Sequence, residues 1–529
     1  MRYEPRLAAE TRFGHLLATR PAAVVFSLAL LHFMGLAFVI LLTQPTLGLD
    51  VFEQVAWARD PQWAYAKHPP LPSWIMTAAI WAAGNKPWIA AILGAATSAA
   101  ALPIVWVLAR RVVGTSQALI AVFLLEGVVY FNFASVDFNH NVILLPLWAF
   151  IAYAAHRAFV EGKLIDWALL GIAAALGMLG KYATALLLIA VLAAFLADRK
   201  ARAKLWGIGP LIAILCGTVL LAPHLLALYR IDFAPFTYAG ERLKNATSVF
   251  DYLLFPAGWL GAQLLNAGPA LCLAAFLLLG AKGPKLSLLP LETADACLKR
   301  NRQFFGILFA VPLVACVAAQ GLAGVRFHDM WGFPMFVLLG IVVALLIAAR
   351  PQGHDLTPKF AAGSLAFLGL AMTGVAAASW GSSYALHQGA RTEFPAQELA
   401  RRIGSAWAAQ FPSAPMRYVA ADVWLGGMLT AYHPNRPSVL ISGSFKQSPW
   451  VTRERFKEAG AVLVWHSDPD GQQLMRQFPD AIPQHPLELP YQTGAKVPAV
   501  RVNWAILPPA RAFAAAEPAF ADPAQTASR

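Results

Sequence analysis

Long apolar runs recur through most of this chain, at 21–43, 88–109, 115–134, 142–158, 166–180, 182–197, 207–229, 256–280, 304–320, 331–349 and 359–379. Runs near twenty residues reach across a hydrocarbon core of ~30 Å as helices, which predicts eleven crossings. The pair at 166–197 is separated only by Gly180, Lys181 and Tyr182. Keeping that break leaves the dense basic connections, such as Arg199, Lys200, Arg202 and Lys204, on the same side as Arg110 and Arg111. Cations gather in cytoplasmic loops, so the break stands, the N-terminus is cytoplasmic and the C-terminus lies outside.

After Trp380 the pattern changes to short alternating segments. QELARRIGSAWAAQF, VWLGGMLTAY and RERFKEA read as helices, and MRYVAA, PSVLIS, AVLVWH and VRVNWAIL as strands. The fold class is thus a polytopic helical membrane protein with a C-terminal α/β domain on the outer side. The expected divisions are 1–380, with an outer loop at 44–87, then 381–508, then an Ala/Pro-rich disordered tail at 509–529.

Composition agrees: of 529 residues 58% are hydrophobic, and the mean hydropathy is +0.56. The net charge of +13 sits in short loops between apolar runs, which excludes a nucleic-acid-binding face. Four cysteines without C-x-x-C spacing indicate neither a disulfide framework nor a zinc knuckle.

Polar chemistry concentrates in LDVFEQVAWARDPQWAYAKHPPLPSW, from Leu49 to Trp74. Asp50 and Glu53 are spaced to share one face of a helix, and either is suited to general-base work. Tyr65 precedes Lys67 and His68, which read as two cations for a phosphate, held in place by the rigid Pro69-Pro70 pair. The plain alternatives are solvated carboxylates and a lysine reaching lipid headgroups. Asp137 stands in SVDFNHNVILLP with Asn139 and His140, where a site role and ordinary helix capping weigh equally. On the same outer side are Lys181 and Tyr182 at the break, Arg242 in RIDFAPFTYAGER, and Arg326 and His328 in GVRFHDMWGFP. Each has a structural alternative: a helix C-cap, an interfacial aromatic segment, and an Arg–Asp pair at a helix start.

The order of these elements resembles the GT-C glycosyltransferases, in the branch similar to lipid A aminoarabinose transferase and protein O-mannosyltransferases. The matching pieces are Asp50, YAKHPPL from Tyr65 to Leu71, Asp137 in DFNHN, WALLGIAAALGMLGKYAT from Trp167 to Thr184, and APHLLALYRIDFAPFTYAGER from Ala222 to Arg242, so that the resemblance spans roughly 21–350. It implies inverting transfer of one sugar from a polyprenyl-phosphate donor to an envelope acceptor (lipid A or another lipid, a polysaccharide or a protein), at the outer face of a bacterial inner membrane. By position Asp50 becomes the general base, with Glu53 secondary because Val51 stands where many relatives carry Glu. Asp137 assists the acceptor, Tyr65, Asn139 and His140 bind acceptor or sugar, and Lys67, His68, Lys181, Tyr182, Arg242, Arg326 and His328 hold the donor phosphate. The aminoarabinose transferases carry Glu-Lys before Pro-Pro where this chain has Lys67-His68, so neither their sugar nor their acceptor transfers automatically.

A membrane transporter or lipid flippase is the rival class. It requires ionisable residues at the midplane, and the spans are largely free of them. With Lys and Arg available for the phosphate, no obligatory metal or other cofactor is expected, and the chain is expected to act as a monomer.

Overall fold

The structure is a computed structural model that describes residues 12–280, 296–348 and 357–510. In chain order the elements are α1 (Arg12–Thr19), α2 (Pro21–Thr43), α3 (Leu49–Arg59), α4 (Leu71–Ala82), α5 (Trp88–Val112) and α6 (Thr115–Leu125). Two 3₁₀ turns lead to α7 (Leu144–Val160), α8 (Leu164–Gly180), α9 (Thr184–Ala197), α10 (Arg199–Lys204), α11 (Ile208–Arg230) and α12 (Ala234–Glu241). Then come β1 (Lys244–Asn245), α13 (Asp251–Gly280), α14 (Ala296–Ala323), β2 (Val325–Arg326), a 3₁₀ segment (Asp329–Leu338), α15 (Leu339–Ile347) and α16 (Thr357–Leu386). The C-terminal part holds α17 (Ala396–Gln410), β3 (Tyr418–Ala421), α18 (Val423–Tyr432), β4 (Ser438–Ile441), α19 (Arg453–Ala459), β5 (Ala461–Trp465), α20 (Asp468–Gln477), β6 (Ile482–Pro483), β7 (Leu487–Leu489) and β8 (Val500–Leu507). The tail beyond Ala510, expected to be disordered, lies outside the described residues.

By internal contacts the chain forms two units, one of 1–40, 67–72 and 92–376, the other of 41–66, 73–91 and 377–529. The loop expected at 44–87 is therefore not one piece of the membrane part. It contains two helices, α3 and α4, and all of it except Lys67–Pro72 groups with the C-terminal domain.

The first unit is helical. Its core is aromatic and aliphatic, with Trp148, Phe159, Phe195, Phe304 and Phe305 buried. Helices come close where residues are small: a Cβ on Gly171 of α8 would sit 2.1 Å from the Ala213 carbonyl of α11, the small-residue contact that lets membrane helices associate without a hydrophobic drive. The opposite side of α11 exposes Ile208, Leu211, Ile214, Leu215 and Val219, a surface suited to lipid. Among the described residues six helical segments are long and apolar enough to cross, and a seventh counts if α6 is joined to the turn Val129–Ser135, bent by 76°. Among the described residues the apolar runs expected as crossings fall on helical segments, the run at 115–134 being interrupted at Glu126–Val128, but α7, α8 and α9 have 17, 17 and 14 residues. At 1.5 Å per residue they fall short of a straight ~30 Å crossing, so length and composition alone support fewer crossings than the eleven expected. The break falls where expected, with α8 ending at Gly180 and α9 beginning at Thr184.

The apolar segments enclose a buried polar chain: His32 Nδ1 lies 2.8 Å from Glu126 Oε2, and its Nε2 lies 2.9 Å from Ser98 Oγ. Both His32 and Glu126 are fully buried. Glu126 directly follows α6, at the start of the 76° bend.

In the second unit a sheet runs β4-β3-β5-β8-β6, with β3 parallel to β4 and β5 and β8 antiparallel to β5. Val419, Ala420, Leu440, Val462, Leu463, Phe456 and Leu474 are buried; continuous apolar strands of this kind belong to sheets covered on both faces.

Candidate active site

The polar residues singled out in the sequence fall in both units. In the first, Asn139 accepts from the backbone N–H groups of Asn141 (2.8 Å) and Val142 (3.2 Å). It thereby closes the turn ahead of α7, whose own N-cap, Ile143, makes no side-chain cap. Asp137 is not the cap of α7; it sits partly exposed in the preceding turn. The same turn presents His140, whose Nε2 lies 3.1 Å from the Pro69 carbonyl. A carbonyl only accepts, so Nε2 carries the proton and donates, leaving Nδ1 with its lone pair.

His68 stacks obliquely on His140, the ring centroids 4.2 Å apart, and meets Tyr238 edge-on at 6.0 Å. Lys67 Nζ and the Arg242 guanidinium lie 5.4 and 5.5 Å from the centroid of that same Tyr238 ring. Arg242 also donates from Nε to the Tyr238 hydroxyl at 3.0 Å. Tyr238 and Arg242 occupy one helix face because they are four residues apart at the end of α12. A sharp corner aims that helix: Asp232 and Phe233 both take left-handed backbone angles, φ 52°. Such consecutive non-glycine values are costly and recur at functional loops. Lys181 donates to the Asn141 side chain. Tyr182 stacks on Phe236 at 5.0 Å and pairs its hydroxyl with His224 Nε2 at 3.1 Å.

Electrostatics follow from this convergence. Burial, then His140, Lys67, Lys181 and Arg242, push the His68 imidazole well below its ordinary pKa. Burial also drives His140 down to about 3, opposed by its bond to Pro69 and reinforced by Lys181 and Lys67. The expectation of two cations at Lys67-His68 is corrected by half: Lys67 supplies charge, while His68 is a neutral hydrogen-bonding group among cations. These two neutral imidazoles are the groups here with the chemistry to hold a metal.

Arg242 also borders an opening of about 160 Å³ lined by Lys244, Arg326, Phe327, His328 and Asp329. The ribbon of β1 and β2 aligns Lys244 with Arg326. The expected phosphate ligands Arg242, Arg326 and His328 therefore share one cavity. Lys244, missed in the sequence, lies there with them. Arg242 links this cavity to the Lys67–Tyr238 group.

In the second unit Asp50 and Glu53 do lie on one helix, α3, with Asp50 in its first turn and Glu53 4% exposed. α3 is seated on α18 through Gly427, where a Cβ would come 2.4 Å from the Phe52 carbonyl. Phe52 meets Tyr432 edge-on at 6.1 Å, and Arg59 Nε donates to the Arg436 carbonyl at 2.7 Å. Tyr65 is corrected as a sugar contact. It is 1% exposed, stacked on Trp57 at 4.7 Å, with its hydroxyl donating to the Trp57 carbonyl and accepting from Gln62 N–H, both at 3.1 Å. Its role is to shape the loop.

The family model for dolichyl-phosphate-mannose-protein mannosyltransferases matches residues 67–226, the stretch holding Lys67, His68, Asp137, His140 and Lys181. The lipopolysaccharide core galacturonosyltransferase RgtB of Rhizobium johnstonii is 26% identical over 387 residues, 69% of this chain and 72% of that protein. The crystal structure of ArnT from Cupriavidus metallidurans without ligand superposes with a TM-score of 0.58 at 13% identity, covering 95% of this chain and 99% of that one. The same protein bound to undecaprenyl phosphate gives 0.57, 13%, 94% and 100%. The chain is thus similar to the mannosyltransferase family over residues 67–226, to a galacturonosyltransferase over about two thirds of its length, and to ArnT in its fold.

Proposed function

We propose that this enzyme transfers a single sugar, with inversion, from a polyprenyl-phosphate donor to an acceptor of the bacterial envelope, on the outer face of the inner membrane. The observation that carries the reading is the gathering of Lys67, Lys181 and Arg242 around the His68–His140 pair and Tyr238. Cations gathered around a pair of buried neutral imidazoles suit a phosphate that gains charge as it leaves. In the reaction the acceptor hydroxyl oxygen attacks the anomeric carbon and the bond from that carbon to the phosphate oxygen breaks. The electron pair departs with the polyprenyl phosphate. Asp50 takes the hydroxyl proton as general base, Asp137 helps hold the acceptor, and Glu53 is a secondary carboxylate. Arg326, His328 and Lys244 extend the phosphate-binding surface. The N-terminus is cytoplasmic and the α/β domain periplasmic in this reading.

The test is transfer by purified protein from polyprenyl-phosphate sugars to envelope lipids, read by mass spectrometry. The donors include a neutral hexose, an aminopentose and, given the galacturonosyltransferase relative, a hexuronate. Transfer from one donor class, reduced about 10³-fold in Asp50→Asn, supports the assignment. Full transfer by Asp50→Asn removes Asp50 as the base. Movement of labelled lipid across vesicles without transfer would return the flippase reading.

A further inference from the structure

The carboxyl edge of the α/β sheet carries an opening that the transfer chemistry does not use. β3 lies between β4 and β5, with Ala421 level with Ile441 and β5 running in the same direction. The opening lies beside β5 and β8, at the carboxyl end of β5.

Here His466 and Asp468, which follow β5, line an opening of about 780 Å³ with Arg501 and Asn503 of β8, Gln388 and Tyr491. β8 is held against β5 in register, Trp465 opposite Asn503. The volume is within the ~300–1,000 Å³ of small-molecule sites, but the lining is rich in hydrogen-bonding side chains. His466 Nδ1 lies 3.1 Å from the Arg501 carbonyl, so Nδ1 is the donor and Nε2 is left as an acceptor. Tyr491 adds a ring braced edge-on by Phe394 at 6.2 Å. Charge argues against a phosphate ligand. Asp468 and Asp470 fill the first turn of α20, and Ser467 already caps it, which neutralises the positive end of that helix. Arg501 and Asp468 bring opposite charges to the opening.

An aromatic face beside alternating donors and acceptors, without excess charge, matches a sugar ring, which has an apolar C–H face and a rim of hydroxyls. We propose that this groove binds a short uncharged saccharide; that the saccharide is the glycan portion of the acceptor rests on the transferase reading above. Binding itself does not, and it is measured without turnover.

The experiment uses the full chain in a detergent without a sugar headgroup. Saturation-transfer NMR probes N,N′-diacetylchitobiose, lactose, a heptose disaccharide and, as the anionic arm, inorganic pyrophosphate. Saturation of at least one saccharide is expected, with affinity weakened about tenfold or more in Tyr491→Ala and in Asp468→Asn. It is expected unchanged in Asp50→Asn. Should Tyr491→Ala lose its thermal transition, the exposed Gln388→Ala serves in its place with the same expected loss. Absence of saccharide binding, binding indifferent to these substitutions, or capture of pyrophosphate alone each overturns the proposal. A protein that binds saccharide but transfers nothing would overturn the transferase reading and leave the groove standing.

Discussion

His140 donates its Nε2 proton to the carbonyl of Pro69 across 3.1 Å. The Pro-Pro element cannot donate at either residue, so this bond ties the turn before α7 to the loop that carries Lys67 and His68. His140→Phe removes the donor and leaves a buried carbonyl unsatisfied, a loss of about 1–3 kcal/mol. His140→Gln retains a donor. The expected outcome is a lower melting temperature and a tenfold or greater fall in kcat/KM for His140→Phe, with His140→Gln within a few-fold of wild type. Equal behaviour of the two variants would show that the bond does not set the loop.

The two imidazoles also fix a pH dependence. Both native pKa values are depressed, His140 to about 3 and His68 well below its ordinary value. The unfolded chain, with histidines near 6.5, therefore binds more protons than the native one below that pH. Stability from these groups is complete above about pH 6.5 and declines as pH falls, for His140 down to about pH 3, by up to ~1.4 kcal/mol per unit for each group. Thermal unfolding from pH 7.5 to 4.5 should show this slope, and His140→Gln should make it shallower.

What could be read from the chain and what could not follows from the range of each interaction. Lys181 stands at a Gly-Lys-Tyr break that is visible locally, whereas Arg242 comes from the resemblance and its pairing with Tyr238, four residues away, emerges only in the fold. Lys244 escaped because its ribbon with Arg326 is two residues long, too short for any alternation. Tyr65 misled because a tyrosine beside a Lys-His-Pro-Pro element looks like a ligand contact. Only the fold reveals that its hydroxyl is engaged by Trp57 and Gln62. The seat of α3 on α18 left no local sign beyond one glycine, since Phe52 and Gly427 meet across most of the sequence.

That seat gives a third expectation. At Gly427 a side chain would meet backbone at 2.4 Å, which cannot yield as a flexible side chain would. Gly427→Val should displace α3 and with it Asp50 and Glu53. The expected result is a destabilisation of roughly 1–3 kcal/mol, faster proteolysis within 49–66, and transfer activity lost with kcat rather than KM. Unimpaired kcat in a folded Gly427→Val protein would mean that the carboxylates do not depend on this contact.

The phosphate reading separates binding from chemistry. Arg242 holds Tyr238 at 3.0 Å and borders the cavity with Lys244 and Arg326. Arg242→Ala removes a charge-assisted donor, about 1.5–3 kcal/mol, so a tenfold to hundredfold rise in donor KM is expected. Lys244→Ala, at the rim, should cost only a few-fold and its effect should fade with salt. A fall in kcat with unchanged KM in both variants would place these cations outside donor binding.

The His32–Glu126 pair yields the last prediction. Both side chains are fully buried, His32 also reaches Ser98 at 2.9 Å, and Glu126 Oε1 has no partner among the described residues. Removing one member of such a pair strands the other, at about 3–5 kcal/mol, whereas replacing both by apolar residues of similar size is often neutral. His32→Leu and Glu126→Leu should each lower the melting temperature sharply, and the double variant should recover much of the loss. Because Glu126 precedes the bend that leads to Asp137 and His140, the recovered double variant also separates two roles. If the pair only stabilises the bend, stability and transfer return together. If stability returns while transfer does not, the pair itself positions the 132–143 turn, and the apolar replacement has restored the helix packing without restoring that aim.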